Sequence, residues 1–585
     1  WKWIVRTKGR KDPMDMKTRI ASLLSAQLTD TYPDAQGLPD AATIRELLEV
    51  PPDTNMGDYA FPCFRLAKSL RMAPVKIAQT LTEGWKQTET ASAQAVNGYL
   101  NFFLNRANFA QDTLKTVLEK GEAYGSSEIG KDKTVCLDYS SINIAKRFHI
   151  GHLSTTMIGN SLKRIYDFLG YTTVGINHLG DWGTQFGKML CAYKKWGDHE
   201  AVEKGGVNEL TRLYVLFHEE AEKDPSLEDE GRAWFKKIED GDEEALSIFN
   251  WFKEMTLKDT ARVYDLLGVQ FDSYAGESFY NDKMDRVVSE LKEKGLLTIS
   301  EGASIVDLSE DKMSPCIILK KDGTTLYATR DLAAAIYRHD TYDFAKCLYV
   351  VAYQQDLHFK QIFRVLEKMG YAWAKDCVHV AFGMVSFEGE ALSTRKGTVI
   401  YLEDLLDQAV EKAREIIEQK SPNLENKDVV ARQVGIGAVV YTDLSNNRIK
   451  DIDFRWDQAL NFDGESGPYV QYTHARCCSL LRKAEDLKLD RMDMQALTND
   501  EAQALLRLIS RFPDVIQEAA NKYEPSMITR AVTDIAQAYN RFYYEHRILD
   551  EDLSGTAARV ALTKATRDVI RTGLYLIGIE ATERM

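Results

Sequence analysis

Two histidines flank a glycine at the end of the stretch Ser141-Ile142-Asn143-Ile144-Ala145-Lys146-Arg147-Phe148-His149-Ile150-Gly151-His152. Imidazole donors, a lysine and the first N–H groups of a helix suit an anion, a nucleotide phosphate above all. The small Gly151 lets a flat ligand such as a purine come close to the backbone. Two other readings stand beside this one. Helix-start histidines can simply satisfy local backbone groups, and His149, His152 and the later His178 could ligate a metal. The spacing lacks the flanking carboxylate and third ligand of the zinc motifs, so no metal-binding residue is assigned.

The elements that must position these residues follow from the hydrophobic pattern. Lys133 to Tyr139 is rich in β-formers and predicts a strand. Leu153, Met157, Ile158, Leu162, Ile165 and Leu169 recur at helical spacing until Gly170 stops them. Thr172 to Asn177 predicts a second strand, with the loop His178-Leu179-Gly180-Asp181-Trp182-Gly183 at its carboxyl end. Strand, helix and strand make a βαβ unit, whose ligands gather at such ends. From roughly Lys188 to Gly323 charged helices, an acidic patch around Asp224 to Glu244 and short strands read as an insertion. The alternation then resumes: a strand near Thr325, a helix from Asp331, a strand over Lys346 to Ala352, a helix over Leu357 to Met369 and a strand over His379 to Met384.

Before the histidines, Asp15 to Arg106 predicts a separate α+β unit that closes on the strand-like Gly98 to Leu104. After Leu392-Ser393-Thr394-Arg395-Lys396-Gly397 the chain is mostly helical, with an apolar stripe at Leu405, Leu406, Ala409, Ala413, Ile416 and Ile417. The last helices carry Arg476, Arg511, Arg541, Arg547 and Arg567 among other basic residues, which form a solvated face or an RNA contact. Tyr539, Phe542, Tyr543 and Tyr544 fit either core packing or stacking on unpaired bases.

At 585 residues the chain exceeds one core. Hydrophobic residues make up 44% and charged residues 28%, with no apolar run long enough to span a bilayer and no signal peptide, so no membrane partner is expected. A formal charge of −14 argues against a wholly basic nucleic-acid coat but leaves a local basic face open. Eight cysteines without a CxxC pair fit reduced thiols in a cytoplasm. The basic residues 1–13 precede Met14 and read as a leader, a misplaced start or a cloning remnant.

The strand-end HxGH, the later Leu-Ser-Thr-Arg-Lys-Gly loop and the helical C-terminal part together resemble a class I aminoacyl-tRNA synthetase. Longer strings narrow the resemblance to the arginyl-tRNA synthetases. Ser140-Ser141-Ile142-Asn143-Ile144-Ala145-Lys146 is similar to that family's SSPNxAK lead-in, and Asn177 to Gly187 is nearly its signature. Gly467 to Arg476 and the closing Gly578-Ile579-Glu580 are similar to its anticodon-binding domain.

The resemblance implies a multidomain α/β chain. Residues 14–125 would be an N-terminal α+β additional domain that contacts the tRNA D-loop, and 126–400 a Rossmann-like parallel-sheet catalytic domain with an insertion at about 190–323. Residues 401–460 would be a helical linker and 461–585 an all-helical anticodon-binding domain. The implied activity is ligation of arginine to its tRNA, with ATP and its Mg²⁺, by a cytoplasmic monomer. His149, His152 and Lys146 would be catalytic, and His149, Gly151, His152, Ser393, Arg395 and Lys396 would bind ATP. L-Arginine would be held by Asn143 and Gln355 at its α-amino and carboxylate end, and by Glu277, Tyr327 and Asp331 at its guanidinium. Tyr327 and Asp331 lie four apart, one helical turn, although Asp331 could also serve only as a helix N-terminal acid. Asn101, Arg476, Tyr539 and Arg547 would touch tRNA.

The chain departs from the pattern in three places. Ala391-Leu392-Ser393-Thr394-Arg395 replaces KMSKS without either lysine, so Lys146, Arg395 and Lys396 would share the cationic role. Ile142 stands for the usual proline, and Ser154 for an arginine. Two rivals remain: a smaller HxGH nucleotidyltransferase, which would not need the flanking domains, and a synthetase-like RNA-binding protein without catalysis.

Overall fold

Short runs of β-branched and apolar residues bounded by turns form each strand of the sheet that carries the histidine motif. The computed structural model describes all residues except 1–15, 52, 54–55, 86–90, 322, 324 and 392–399. The segment 1–13 and the loop residues Ser393, Arg395 and Lys396 therefore lie outside the described residues. The chain divides into two units. One holds the residues through Tyr124 with Ser479–Arg511 and Gln537–Val569, the other Gly125–Cys478, Phe512–Ala536 and Ile570–Met585.

In the larger unit four parallel strands, β1 (Thr134–Asp138), β2 (Thr172–Ile176), β3 (Phe344–Tyr349) and β4 (Cys377–His379), lie in the order β4-β3-β1-β2. Successive residues Val135, Cys136 and Leu137 are all buried, as a parallel strand covered on both faces requires. The winding passes from β1 to β2 and then to β3 on the other side of β1, so the crevice at the switch point opens at the carboxyl ends of β1 and β3.

Helix α1 (Leu153–Phe168) joins β1 to β2 and buries Leu153, Met157, Ile158, Leu162 and Ile165; Gly170, at φ 86°, ends the connection. Helix α2 (Tyr327–Tyr342) begins four residues earlier than expected, which places Tyr327 on its first turn. Thr325 makes only an isolated bridge to Leu319 rather than a strand. Helix α3 (Asp356–Lys368) follows β3. The strand expected over His379 to Met384 is shorter and earlier, because Gly383 sends its N–H to the carbonyl of Arg448. Beyond it Val385–Phe387 joins a separate sheet with Glu390–Ala391 and Ile452–Phe454.

The insertion consists of helices Thr184–Trp196, His199–Lys223, Ser226–Glu239 and Glu243–Leu267, followed by an antiparallel sheet of Leu297–Ser300, Ala303–Val306 and Cys316–Leu319. Helix α4 (Leu402–Lys420) buries the stripe Leu402, Leu405, Leu406, Ala409, Ala413 and Ile417, and α5 (Lys427–Leu444) packs on it.

The smaller unit contains an antiparallel sheet with Tyr99–Leu104 between Tyr59–Pro62 and Ala91–Val96. Asp58 binds this sheet to a C-terminal helix: its carboxylate accepts Leu104 N–H at 2.8 Å and pairs with Arg507 at 2.6 Å. No helix among the described residues is long and apolar enough to cross a membrane.

Candidate active site

The chain leaving β1 takes a left-handed conformation at Ser140 (φ 71°), Ser141 (φ 47°) and Ala145 (φ 59°). Such residues cost on the order of 1 kcal/mol each unless their surroundings hold them. Here Ser140 N–H donates to Thr155 Oγ1 and Ala145 N–H to Thr256 Oγ1, both at 3.0 Å. The held turns leave Asn143 and Lys146 exposed at the carboxyl end of β1.

A 3₁₀ turn, Ile150–His152, precedes α1, and the two imidazoles cap it. His149 Nδ1 accepts the N–H of Gly151 at 3.1 Å, and His152 Nδ1 accepts the N–H of His149 at 3.3 Å. A nitrogen that accepts carries no proton, so each ring keeps its proton on Nε2. Burial lowers the pKa of both rings, with Lys146 adding to it; burial and its neighbour His149 push His152 down to about 3. Two neutral rings, 3.9 Å apart, therefore present N–H donors rather than charge. Gly151 has a second reason to be glycine, since a Cβ there would lie 2.9 Å from His149 Cε1.

The same segment is paired in strand fashion with the chain entering α4. Ile150 N–H donates to Ile400 C=O and Leu402 N–H to Phe148 C=O, each at 2.9 Å. The Arg147 guanidinium lies 3.5 Å from the Tyr401 ring centroid and 3.2 Å from Asp404. Ser154 takes no part in this surface: it is buried, and its Oγ donates to Asp443 Oδ1 at 2.5 Å.

The loop after β2 continues the pairing of β1 and β2. Gly180 N–H donates to Ile142 C=O at 2.8 Å and Ile144 N–H to Gly180 C=O at 3.2 Å. A Cβ on Gly180 would sit 2.2 Å from Asn143 Oδ1, so a glycine is what lets Asn143 lie across the loop. The adjacent Asp181 is fully buried and accepts from Lys253 Nζ at 2.6 Å, Ser278 N–H at 2.8 Å and Ser278 Oγ at 2.7 Å. These bonds, with Glu277 N–H to Leu179 C=O at 2.9 Å, fix the segment that bears Glu277. Burial pushes the Glu277 carboxyl up to about 7; Arg330 opposes the rise, and repulsion from Asp331 and Asp181 adds to it.

Asp331 and Tyr327 project from the first turns of α2, and both meet His358 of α3. Asp331 Oδ2 lies 2.6 Å from His358 Nε2, and the Tyr327 ring is 4.9 Å from the imidazole. Gln355 is exposed on the turn that enters α3. Two carboxylates that repel one another in a part-buried site favour a cation.

The sequence expectations missed several supporting residues. His358 shares the first turn of α3 with Gln355, a spacing that could have marked it. Asp181 stands inside the signature string without an assigned role. Arg338 had no signal: buried on α2, it pairs with Asp138 at 2.8 Å and donates to His178 Nδ1 at 3.3 Å, while Asp138 accepts Ser141 Oγ–H at 2.9 Å. His178 is thereby engaged by protein, and no cluster of three metal-ligating side chains occurs among the described residues.

Two of the expected RNA contacts need correction. Asn101 is 3% exposed on the central strand of the smaller unit's sheet. Tyr539 is fully buried, its hydroxyl 3.3 Å from Thr563 Oγ1, because it falls on the same helical stripe as Ile535 and Phe542. Neither side chain faces solvent. Arg547 is exposed, as are Tyr543 and Tyr544, and Arg476 is half-buried over the Tyr472 ring at 4.9 Å.

Residues 113–456 match the family described as tRNA synthetases class I (R), catalytic domain; 470–585 match the DALR anticodon binding domain and 18–104 the arginyl tRNA synthetase N terminal domain. The chain is 54% identical over 572 residues to an arginine–tRNA ligase of Alkaliphilus metalliredigens, covering 98% of this chain and 100% of that protein. It is 53% identical to one of Clostridioides difficile at the same coverage. Its fold is similar to that of the Thermus thermophilus arginyl-tRNA synthetase, with a TM-score of 0.80 at 24% identity over 96% of this chain and 99% of the other. With a catalytic-domain match over more than half its length and relatives this similar from end to end, the chain belongs to the class I arginyl-tRNA synthetases.

Proposed function

We propose that the chain is an arginine–tRNA ligase. The observation that carries the reading is the meeting of an acidic pocket, Glu277 with Asp331, and a pair of neutral imidazoles at the carboxyl ends of one parallel sheet. A carboxylate oxygen of arginine attacks the α-phosphorus of ATP, the bond to the β-phosphate oxygen breaks and pyrophosphate leaves. The 2′-hydroxyl of the terminal tRNA adenosine then attacks the acyl carbon of arginyl-adenylate, AMP departs and the hydroxyl proton passes to solvent.

In this reading the Nε2–H groups of His149 and His152, with Lys146, stabilise charge that grows on the phosphate oxygens. Asn143 and Gln355 hold the amino-acid end, and Glu277, Tyr327 and Asp331 the guanidinium. Lysine would leave fixed acceptors unpaired, a loss that can discriminate on the order of 10⁴-fold. Mg²⁺ enters as the counter-ion of the ATP phosphates and so as part of the substrate. By the family resemblance, Ser393, Arg395 and Lys396 complete the ATP site.

The tRNA contacts we assign are Arg476 and Arg547, with Tyr543 and Tyr544 as stacking surfaces. The division at 14–125, 126–400, 401–460 and 461–585 remains our reading of the functional parts, in a cytoplasmic monomer. Charging of purified tRNA with arginine, with lysine and without amino acid, each with and without ATP, tests the proposal. Charging that requires both arginine and ATP is expected. Binding of tRNA without charging would replace the ligase by an RNA-binding protein.

A further inference from the structure

We propose that His358 is a positioning residue that sets the spacing between the two ends of the arginine site and so selects the length of the amino acid. The inference rests on the ligase reading above. The groups assigned to the guanidinium, Tyr327 and Asp331, stand on the first turns of α2, whereas Gln355, assigned to the amino-acid end, stands at the entry to α3. A site divided between two helices recognises length only if the helices are held at a fixed separation.

His358 holds them. It lies three residues beyond Gln355, one turn into α3, and its side chain is 11% exposed. Its Nε2 sits 2.6 Å from Asp331 Oδ2, its ring packs 4.9 Å from that of Tyr327, and Phe359 meets it edge-on at 5.3 Å. The hydrogen bond to Oδ2 fixes the plane of the carboxylate and leaves Oδ1 to accept a guanidinium N–H, whose direction depends on that plane. The ring packing against Tyr327 resists sliding of α3 along α2. An amino acid one methylene longer or shorter then cannot reach Gln355 and Asp331 together.

The test is aminoacylation by the full chain of wild type, His358→Ala and His358→Gln with arginine and with homoarginine, which is one methylene longer. Glutamine can place an N–H near the position of the imidazole donor. For His358→Ala the KM for arginine should rise about 10- to 100-fold, the loss expected for one hydrogen bond to a charged group. The KM for ATP should stay unchanged, and the preference for arginine over homoarginine should shrink about tenfold, the scale of one methylene in a fitted pocket. His358→Gln should recover most of both. The inference is overturned if His358→Ala keeps the wild-type arginine KM, if the KM rises with the preference unchanged, or if both variants lose arginine and ATP binding in proportion to a lowered Tm. Failure of the wild type to charge arginine at all would instead bring down the ligase reading.

Discussion

His152 accepts the backbone N–H of His149 through Nδ1 at 3.3 Å, so the second histidine of the motif is oriented by the first and its remaining proton sits on Nε2. Gly151 N–H orients His149 in the same way. Replacing either ring by alanine removes a preorganised donor and should lower kcat for arginine-dependent ATP–pyrophosphate exchange by about 10²–10³-fold. Because burial holds both rings neutral, kcat at saturating arginine should show no acid limb from His152 between pH 5 and 8; such a limb, if it persists in Glu277→Gln, would contradict the assigned tautomers.

Lys146 is exposed three residues before His149 and depresses the pKa of both histidines through its charge. Arg147 is one residue nearer but is held by Tyr401 and Asp404, so Lys146 is the cation that should act on the α-phosphate. Lys146→Ala is expected to cut adenylation by about two orders of magnitude with little change in the KM for arginine. Near-normal activity would remove it from the mechanism.

Glu277 titrates near 7 because its carboxyl is buried beside other carboxylates. Below that pH it is neutral, and a guanidinium loses its charge attraction to it. The affinity for arginine should therefore rise as pH increases from 6 to 8, and binding at pH 7 should release about half a proton. Calorimetry in buffers of different ionisation heat measures the release. Glu277→Gln should abolish both the release and the pH dependence.

The Arg338–Asp138 pair is buried beneath the site, with 2.8 Å between Nη2 and Oδ2. Arg338→Met strands a buried carboxylate and should cost about 3–5 kcal/mol in urea unfolding. The double variant Arg338→Met with Asp138→Asn should recover a large part of that loss, and equal losses in the two variants would rule out direct coupling.

Asp443 is buried on α5 with one oxygen bonded to Ser154 and the other unpartnered, and burial raises its pKa from 3.8 to about 7. The folded state thus binds a proton that the unfolded state has released between about pH 4 and 7, so stability from this group falls as pH rises through that window. Asp443→Asn keeps an acceptor for Ser154 without the charge. Its Tm relative to wild type should increase from pH 5 to pH 8; a constant difference would show that Asp443 does not titrate there.

Local features of the site were legible in the sequence because they depend on near neighbours. The strand before Ser140, the helix from Leu153 to Gly170 and the glycine between two histidines are each set by side-chain period, capping and steric room. The family resemblance also assigned Asn143, Glu277, Tyr327, Asp331 and Gln355 to the arginine site. What the period of a helix cannot tell is which face meets which neighbour. Tyr539 looked available for stacking although its stripe packs inward with Ile535 and Phe542, and Asn101 sits in the middle of a sheet.

The amino-acid order alone determined the strand-to-helix turn at His149 and His152 and the chemistry those residues can offer. Tertiary structure decided their protonation, through burial, and the pairing of side chains far apart along the chain. Asp331 with His358, Asp181 with Lys253 and Ser278, and Arg338 with Asp138 form only when α2, α3, the insertion and the sheet have packed together. Hydrogen bonds act over about 3 Å, so their partners are chosen by where the packed elements come to rest rather than by distance along the sequence.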